Sequence, residues 1–154
     1  MKLLVGLTLL AGMVLGNTSV WAQQPAHADP LELAQQGDAL AQAKLASLYL
    51  LGRDGYEANE KEAANWMLKA AEQGLVEAQV VVAAMYDSGL GFAHNVNKAT
   101  QWYEKAAAQG HGTSLAILGR TQGTKASVAF NYQAMRLNAA RQIPKEYAKR
   151  FLLK

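Results

Sequence analysis

The chain has 154 residues, 51% of them hydrophobic, with a formal net charge of +3 and no cysteine. That length suits one modest domain, and the missing thiols exclude disulfides, thiolate metal sites and cysteine nucleophiles together. His27, His94 and His111 are too far apart in sequence to form a helical i, i+4 metal pair, so no metal or other cofactor is expected.

Met1-Lys2 gives a short positive start, Leu3 to Leu15 is apolar or small, and Val20-Trp21-Ala22 offers small residues where a signal peptidase reads. This pattern predicts a secretory leader over residues 1–22, cleaved after Ala22. Its apolar stretch is shorter than the roughly 20 residues that span a bilayer. The expected product is exported, periplasmic or secreted, with no transmembrane segment after cleavage. Residues 23–29 (QQPAHAD) read as a linker.

From Pro30 the pattern is helical. Asp29 is a candidate cap for a first short helix that ends at Gly37. A register then repeats: Ala41, Leu45, Ala46, Leu48 and Tyr49 recur 37 positions later as Ala78, Val82, Ala83, Met85 and Tyr86. Spacings of three and four mark one helical face. Each such helix meets a glycine loop, Gly52/Gly55 and then Gly89/Gly91. Asn59 and Asn95 follow as caps, the first with Glu62 placed for a capping box. Second helices carry Ala63, Trp66, Ala70 and Ala71, answered at a shift of 36 by Ala99, Trp102, Ala106 and Ala107. Gly74 and Gly110 close the units. The duplicated stretches WMLKAAEQG and WYEKAAAQG predict buried positions at Trp66/Trp102, Ala70/Ala106, Ala71/Ala107 and Gly74/Gly110. Alanines let paired helices approach closely, and the large aromatics fill gaps between pairs.

Ala78-Gln79 through Met85-Tyr86, the Gly-x-Gly loop and KATQWYEKAAAQG together resemble a Sel1-like repeat, a relative of tetratricopeptide repeats with a longer unit. Residues 37–110 carry two copies, with Asn where the family's usual cap is Asp. The resemblance implies an all-α, right-handed solenoid of stacked antiparallel helix pairs, in an exported bacterial member of the family. It also implies adaptor or scaffold roles that bind a protein or peptide. Small exported Sel1-like proteins also include periplasmic immunity proteins that block phospholipase effectors of type VI secretion, which is the alternative reading. Cysteine-rich relatives linked to penicillin binding are not matched, since this chain has no cysteine.

Residues 111–154 depart from the repeat. Gly119 and Gln122 replace Ala83 and Tyr86, the loop shortens, and no tryptophan follows. Helix is predicted over 126–142, with Pro144 opening a last short helix through Tyr147, Phe151 and Leu152. This region reads as a cap on the stack, with a specialised binding end as the other option. It is also basic: residues 105–154 hold nine Lys/Arg against one Glu, whereas residues 23–104 hold five against eleven acids. The basic end suits an acidic partner or an anionic surface, or is simply a solvated face. It lacks interleaved RNA-type aromatics, so no nucleic acid is expected.

No catalytic residues are expected. Asp87, Ser88 and His94 are the one triad-like grouping, but Asp and Ser before a glycine are ordinary helix-ending residues. His111, after Gly110, suits the C-terminal end of the preceding helix dipole. Binding is therefore expected on the concave side, at outward positions of the first helices: Lys44, Val81 and Ile117 in one row, and Ser47, Ala84 and Arg120 in another, edged by Asp87. Val80 is read as covered, and Val81 and Ala84 as exposed.

Overall fold

The computed structural model describes residues 29–121 and 126–154, with side chains described outside 120–137 and 139. The leader expected over residues 1–22, its cleavage point and the linker up to residue 28 lie outside the described residues. Among the described residues seven helices follow in order: α1 (Pro30–Gln35), α2 (Ala39–Leu51), α3 (Glu60–Glu72), α4 (Val76–Ser88), α5 (Val96–Ala108), α6 (Gly112–Thr121) and α7 (Ala126–Leu153). Among the described residues there is no strand.

The starts of α1, α2, α3 and α5 follow from capping chemistry. Pro30 occupies the first turn of α1, and the Asp29 carboxylate accepts from the Leu31 amide at 3.0 Å. Asp38 accepts from the Ala41 amide at 2.6 Å to open α2. The Asn59 carboxamide accepts from Lys61 and Glu62 at 3.1 Å each, and Asn95 from Lys98 at 2.9 Å. Asn therefore does what the family's Asp would do. The capping box expected at Glu62 is only half made. The Asn59 amide donates instead to the Tyr49 carbonyl at 2.9 Å, and its counterpart Asn95 donates to Tyr86 at 2.9 Å. This bond ties each loop back to the helix it leaves.

Loop aromatics reinforce that tie. Tyr49 meets Tyr56 edge-on at 5.1 Å, and Tyr86 stacks on Phe92 at 4.3 Å. Gly91 has a left-handed φ of 70°, and a Cβ there would strike the Glu60 carbonyl oxygen and lie 2.6 Å from the Ala64 Cβ. It therefore allows both the turn and the close approach of the second loop to α3.

α2 pairs with α3 and α4 with α5, while α3 packs on α4 and α5 on α6, so consecutive hairpins stack. Alanines line these contacts: Ala43, Ala46, Ala63, Ala64, Ala70, Ala71, Ala78, Ala83, Ala99 and Ala106 are all buried. Two expectations need correction. Ala107 and Gly74 are only half-buried, and Gly110 is exposed; the glycines are repeated for their left-handed φ values of 91° and 82°. Trp66 and Trp102 are half-buried rather than enclosed. Each ring is covered from outside by the lysine one turn on, Lys69 at 3.7 Å and Lys105 at 3.8 Å from the ring centroid. The repeated W-x-x-K is thus a cation–π pair at i, i+3 spacing.

The largest departure from expectation is α7. It runs unbroken through Pro144 as a single 28-residue helix, about 42 Å long at 1.5 Å per residue. Pro144 removes one helical hydrogen bond, but it is fully buried in the packing, which holds the helix across it. α7 also does not merely close the end of the stack. It packs along α2 and α4, the first helices of both hairpins. Arg141 lies beside Ser88 to Leu90 at one end of α4, and Lys154 pairs with Glu77 at the other, so α7 runs antiparallel to α4.

Candidate functional site

The seven residues expected to form an open concave surface do not form one. Val81 and Ala84 are fully buried, contrary to expectation, while Val80 and Val82 are buried as expected. Ser47 is fully buried too, its hydroxyl donating to the Ala43 carbonyl at 2.7 Å. Asp87 is 2% exposed, Lys44 and Ile117 are half-buried, and the side chain of Arg120 lies outside the described residues. The reason is the position of α7. Every residue of α4 from Ala78 to Asp87 is buried. Its flanks face α3 and α5, and α7 covers the side that an isolated hairpin stack would leave open.

α7 is built for that place. Ala140, Ile143, Tyr147, Ala148 and Phe151 are buried at spacings of three and four, and Ile143, Tyr147 and Phe151 join the same apolar cluster as Val80 to Ala84. Two polar contacts fix its register. Lys154 Nζ donates to Glu77 at 2.9 Å, and this bond holds the Glu77 carboxyl below its usual range. Tyr147 Oη lies 2.9 Å from His111 Nε2.

His111 differs from its expected role. It caps the N-terminus of α6: the Leu115 amide donates to its carbonyl at 3.0 Å, and the Ser114 amide to its Nδ1 at 3.4 Å. With Nδ1 accepting, Nε2 carries the hydrogen and donates to Tyr147. A proton on Nδ1 would place positive charge at the positive end of a helix. Burial pushes the His111 pKa down and nearby Arg150 adds to this, against an opposing pull from Glu77.

Between the repeats runs a polar ladder that sequence reasoning missed. Gln73 donates to the Gln42 carboxamide oxygen at 2.7 Å, and Gln42 donates to the Ala34 carbonyl at 3.1 Å. One unit on, Gln109 donates to Gln79 at 2.9 Å, and Gln79 to the Ala71 carbonyl at 3.3 Å. Each rung thus joins the last turn of a second helix to its own first helix and to the helix before it. The signal was in the sequence, since Gln42/Gln79 and Gln73/Gln109 repeat at the same shifts as the alanines.

The outer face of α7 is the other feature not resolved by residue beforehand. Arg141, Lys145 and Lys149 are exposed at four-residue spacing, with Arg150 and Lys154 also exposed near the helix end. Arg141 and Lys145 border a cleft of about 280 Å³, completed by Glu60, Ser88, Gly89 and Leu90. The Ser88 hydroxyl donates to the Ala84 carbonyl at 2.8 Å, ending α4 as an ordinary helical serine does. Asp87 is buried and His94 is exposed. Among the described residues no cluster of three metal-binding side chains occurs, and no helix is long and apolar enough to cross a membrane.

The sequence profile of the Sel1 repeat matches residues 39–75 and 76–111, the spans of α2–α3 and α4–α5 with their closing turns. The chain is 37% identical over 98 residues to chitin synthase regulator SKT5 of Saccharomyces cerevisiae, covering 63% of this chain and 14% of that protein. It is 40% identical over 78 residues to chitin synthase regulatory factor 3 of Schizosaccharomyces pombe, covering 50% of this chain and 8% of that one. The match thus spans only a small part of each curated relative. Among solved structures, a Sel1 repeat protein from Oxalobacter formigenes superposes with a TM-score of 0.57 at 35% identity, covering 59% of this chain and 68% of that one. A protective antigen of uropathogenic Escherichia coli with an SLR fold gives 0.56 at 33% identity, over 59% of this chain and 19% of that one. Two complete repeat units, the hairpin stack they build and a solved relative matched over two thirds of its length agree: the chain belongs to the Sel1 repeat family.

Proposed function

We propose that the chain is a non-catalytic binding module of an exported protein, acting as an adaptor or scaffold in the cell envelope. Sel1 repeats are protein-interaction modules, and the observation that carries the reading here is the packing of α7. With the inner face filled by the chain's own helix, the surface left for a partner is the outside of the stack and of α7. The fungal relatives named as chitin synthase regulators support the mode of action, since a regulator works through another protein. The leader-like residues 1–22 support export.

The test is to capture a partner from an envelope extract with the purified chain, identify it by mass, and reconstitute the pair from pure components. Saturable binding at fixed stoichiometry is the expected result, and a captured phospholipase that loses activity would mark the immunity role within the same reading. Hydrolysis of an ester or β-lactam by the pure chain, lost on Ser88→Ala or His94→Ala, would overturn it. Fractionation of cells expressing the full chain tests export: the processed form should appear outside the cytoplasm.

A further inference from the structure

We propose that the exposed basic face of α7 docks an acidic, extended segment of the partner protein, with one carboxylate seated in the cleft between α7 and the α4–α5 loop. The inference rests on the binding-module reading above and names the surface and the chemistry it takes. Arg141, Lys145 and Lys149 are four residues apart on a rigid helix, which spaces them about 6 Å apart along one face. Alternate side chains of an extended strand fall about 6.5 Å apart on one side, so acids at every second position can meet all three cations in register. Among the described residues none of the three has an ion-pair partner.

The cleft adds a seat. Its about 280 Å³ has Arg141 and Lys145 on one wall, Ser88 to Leu90 on another, and Glu60 as its one acid. An incoming carboxylate and Glu60 would share two cations, so Glu60 weakens the site and limits which acidic segments fit.

A protein segment suits this face better than a lipid surface. A helix that binds membranes presents its apolar side for insertion, whereas here Ile143, Tyr147 and Phe151 are sealed against α4 and its neighbours. Between Arg141 and Arg150 what remains outside is Arg141, Gln142, Lys145, Glu146, Lys149 and Arg150, with no apolar side chain among them, and the exposed apolar side chain of Leu153 stands alone at the helix end.

The test uses a synthetic nine-residue peptide with Glu at alternate positions and Ser between, against a peptide of the same composition with its Glu residues contiguous. Binding to the full chain is followed by calorimetry at low salt, where charge pairing is least screened. The alternating peptide should bind at least tenfold tighter than the contiguous one, and Arg141→Glu/Lys145→Glu/Lys149→Glu should weaken it at least tenfold with the melting temperature held. Glu60→Gln should tighten binding several-fold, while Glu32→Gln, which changes net charge equally in α1, should not. Equal affinity for both peptides, insensitivity to the triple change, or preference for phosphatidylglycerol vesicles over the peptide would each overturn the proposal. If a reconstituted natural partner still binds the triple variant, the docking surface is wrong while the module reading stands.

Discussion

At the residue scale, polar side chains buried between repeats carry more of the architecture than their number suggests. The carboxamide of Gln79 is about 5% exposed and satisfied at both ends. Gln79→Leu keeps the volume but leaves the Ala71 carbonyl and the Gln109 amide without these partners, so it should cost about 1–2 kcal/mol in urea unfolding; an unchanged midpoint would remove the ladder from the account. His111 supplies a pH dependence. Its folded pKa lies below the usual 6.5, so the unfolded chain takes up the proton first. The stability it contributes is complete above about pH 6.5 and is lost as the pH falls through the lowered folded value. Glu77 behaves likewise lower down: its pKa lies below the usual 4.5, so its contribution is present above that pH and lost in stronger acid. His111→Asn retains a capping acceptor and should flatten the loss that begins below about pH 6.5, while leaving the loss that Glu77 causes in stronger acid. Melting temperatures from above pH 6.5 to below pH 4.5 check both windows.

At the element scale, the legibility of the sequence was uneven for a physical reason. Ala41, Leu45, Trp66, Ala78, Val82 and Trp102 recur because each hairpin solves the same packing problem, so a second copy reveals which residues matter. Helices α2 to α5, the Asn caps of α3 and α5, and the closing glycines follow directly from that recurrence. α7 has no second copy. Its inward stripe could be read as helical, but nothing within the stripe says that it lies along α2 and α4, and Pro144 suggested a break that packing overrides. The site assignment failed for the same reason: Val81 and Ala84 looked outward only because their covering helix was not recognised as one. Phe151, 1% exposed, is the test of that cover. Phe151→Ala should destabilise the whole chain by about 3–5 kcal/mol, since α7 closes the common core. Leu115→Ala, at a side chain 51% exposed on α6, should stay within about 0.5 kcal/mol. Equal effects would mean that α7 is an appendage.

At the scale of the whole molecule, the chain is polarised, with acidic residues concentrated in the first hairpins and basic ones toward α7. A short repeat stack cannot hide both faces of its first helices, and α7 resolves this by filling the inner one with its own apolar stripe while turning its cations outward. Fold and candidate interaction surface are thus two sides of one helix. The claim that α7 closes the groove is open to direct measurement, because the chain has no cysteine of its own. Val81→Cys and Lys149→Cys, made singly, place a thiol on α4 and on the outer face of α7. Under native conditions a water-soluble thiol reagent should label the Val81→Cys chain at least about 100-fold more slowly than the Lys149→Cys chain, because labelling must wait for α7 to open. Labelling of both at the same rate, with helicity intact, would contradict the closed groove and return the concave face to the partner.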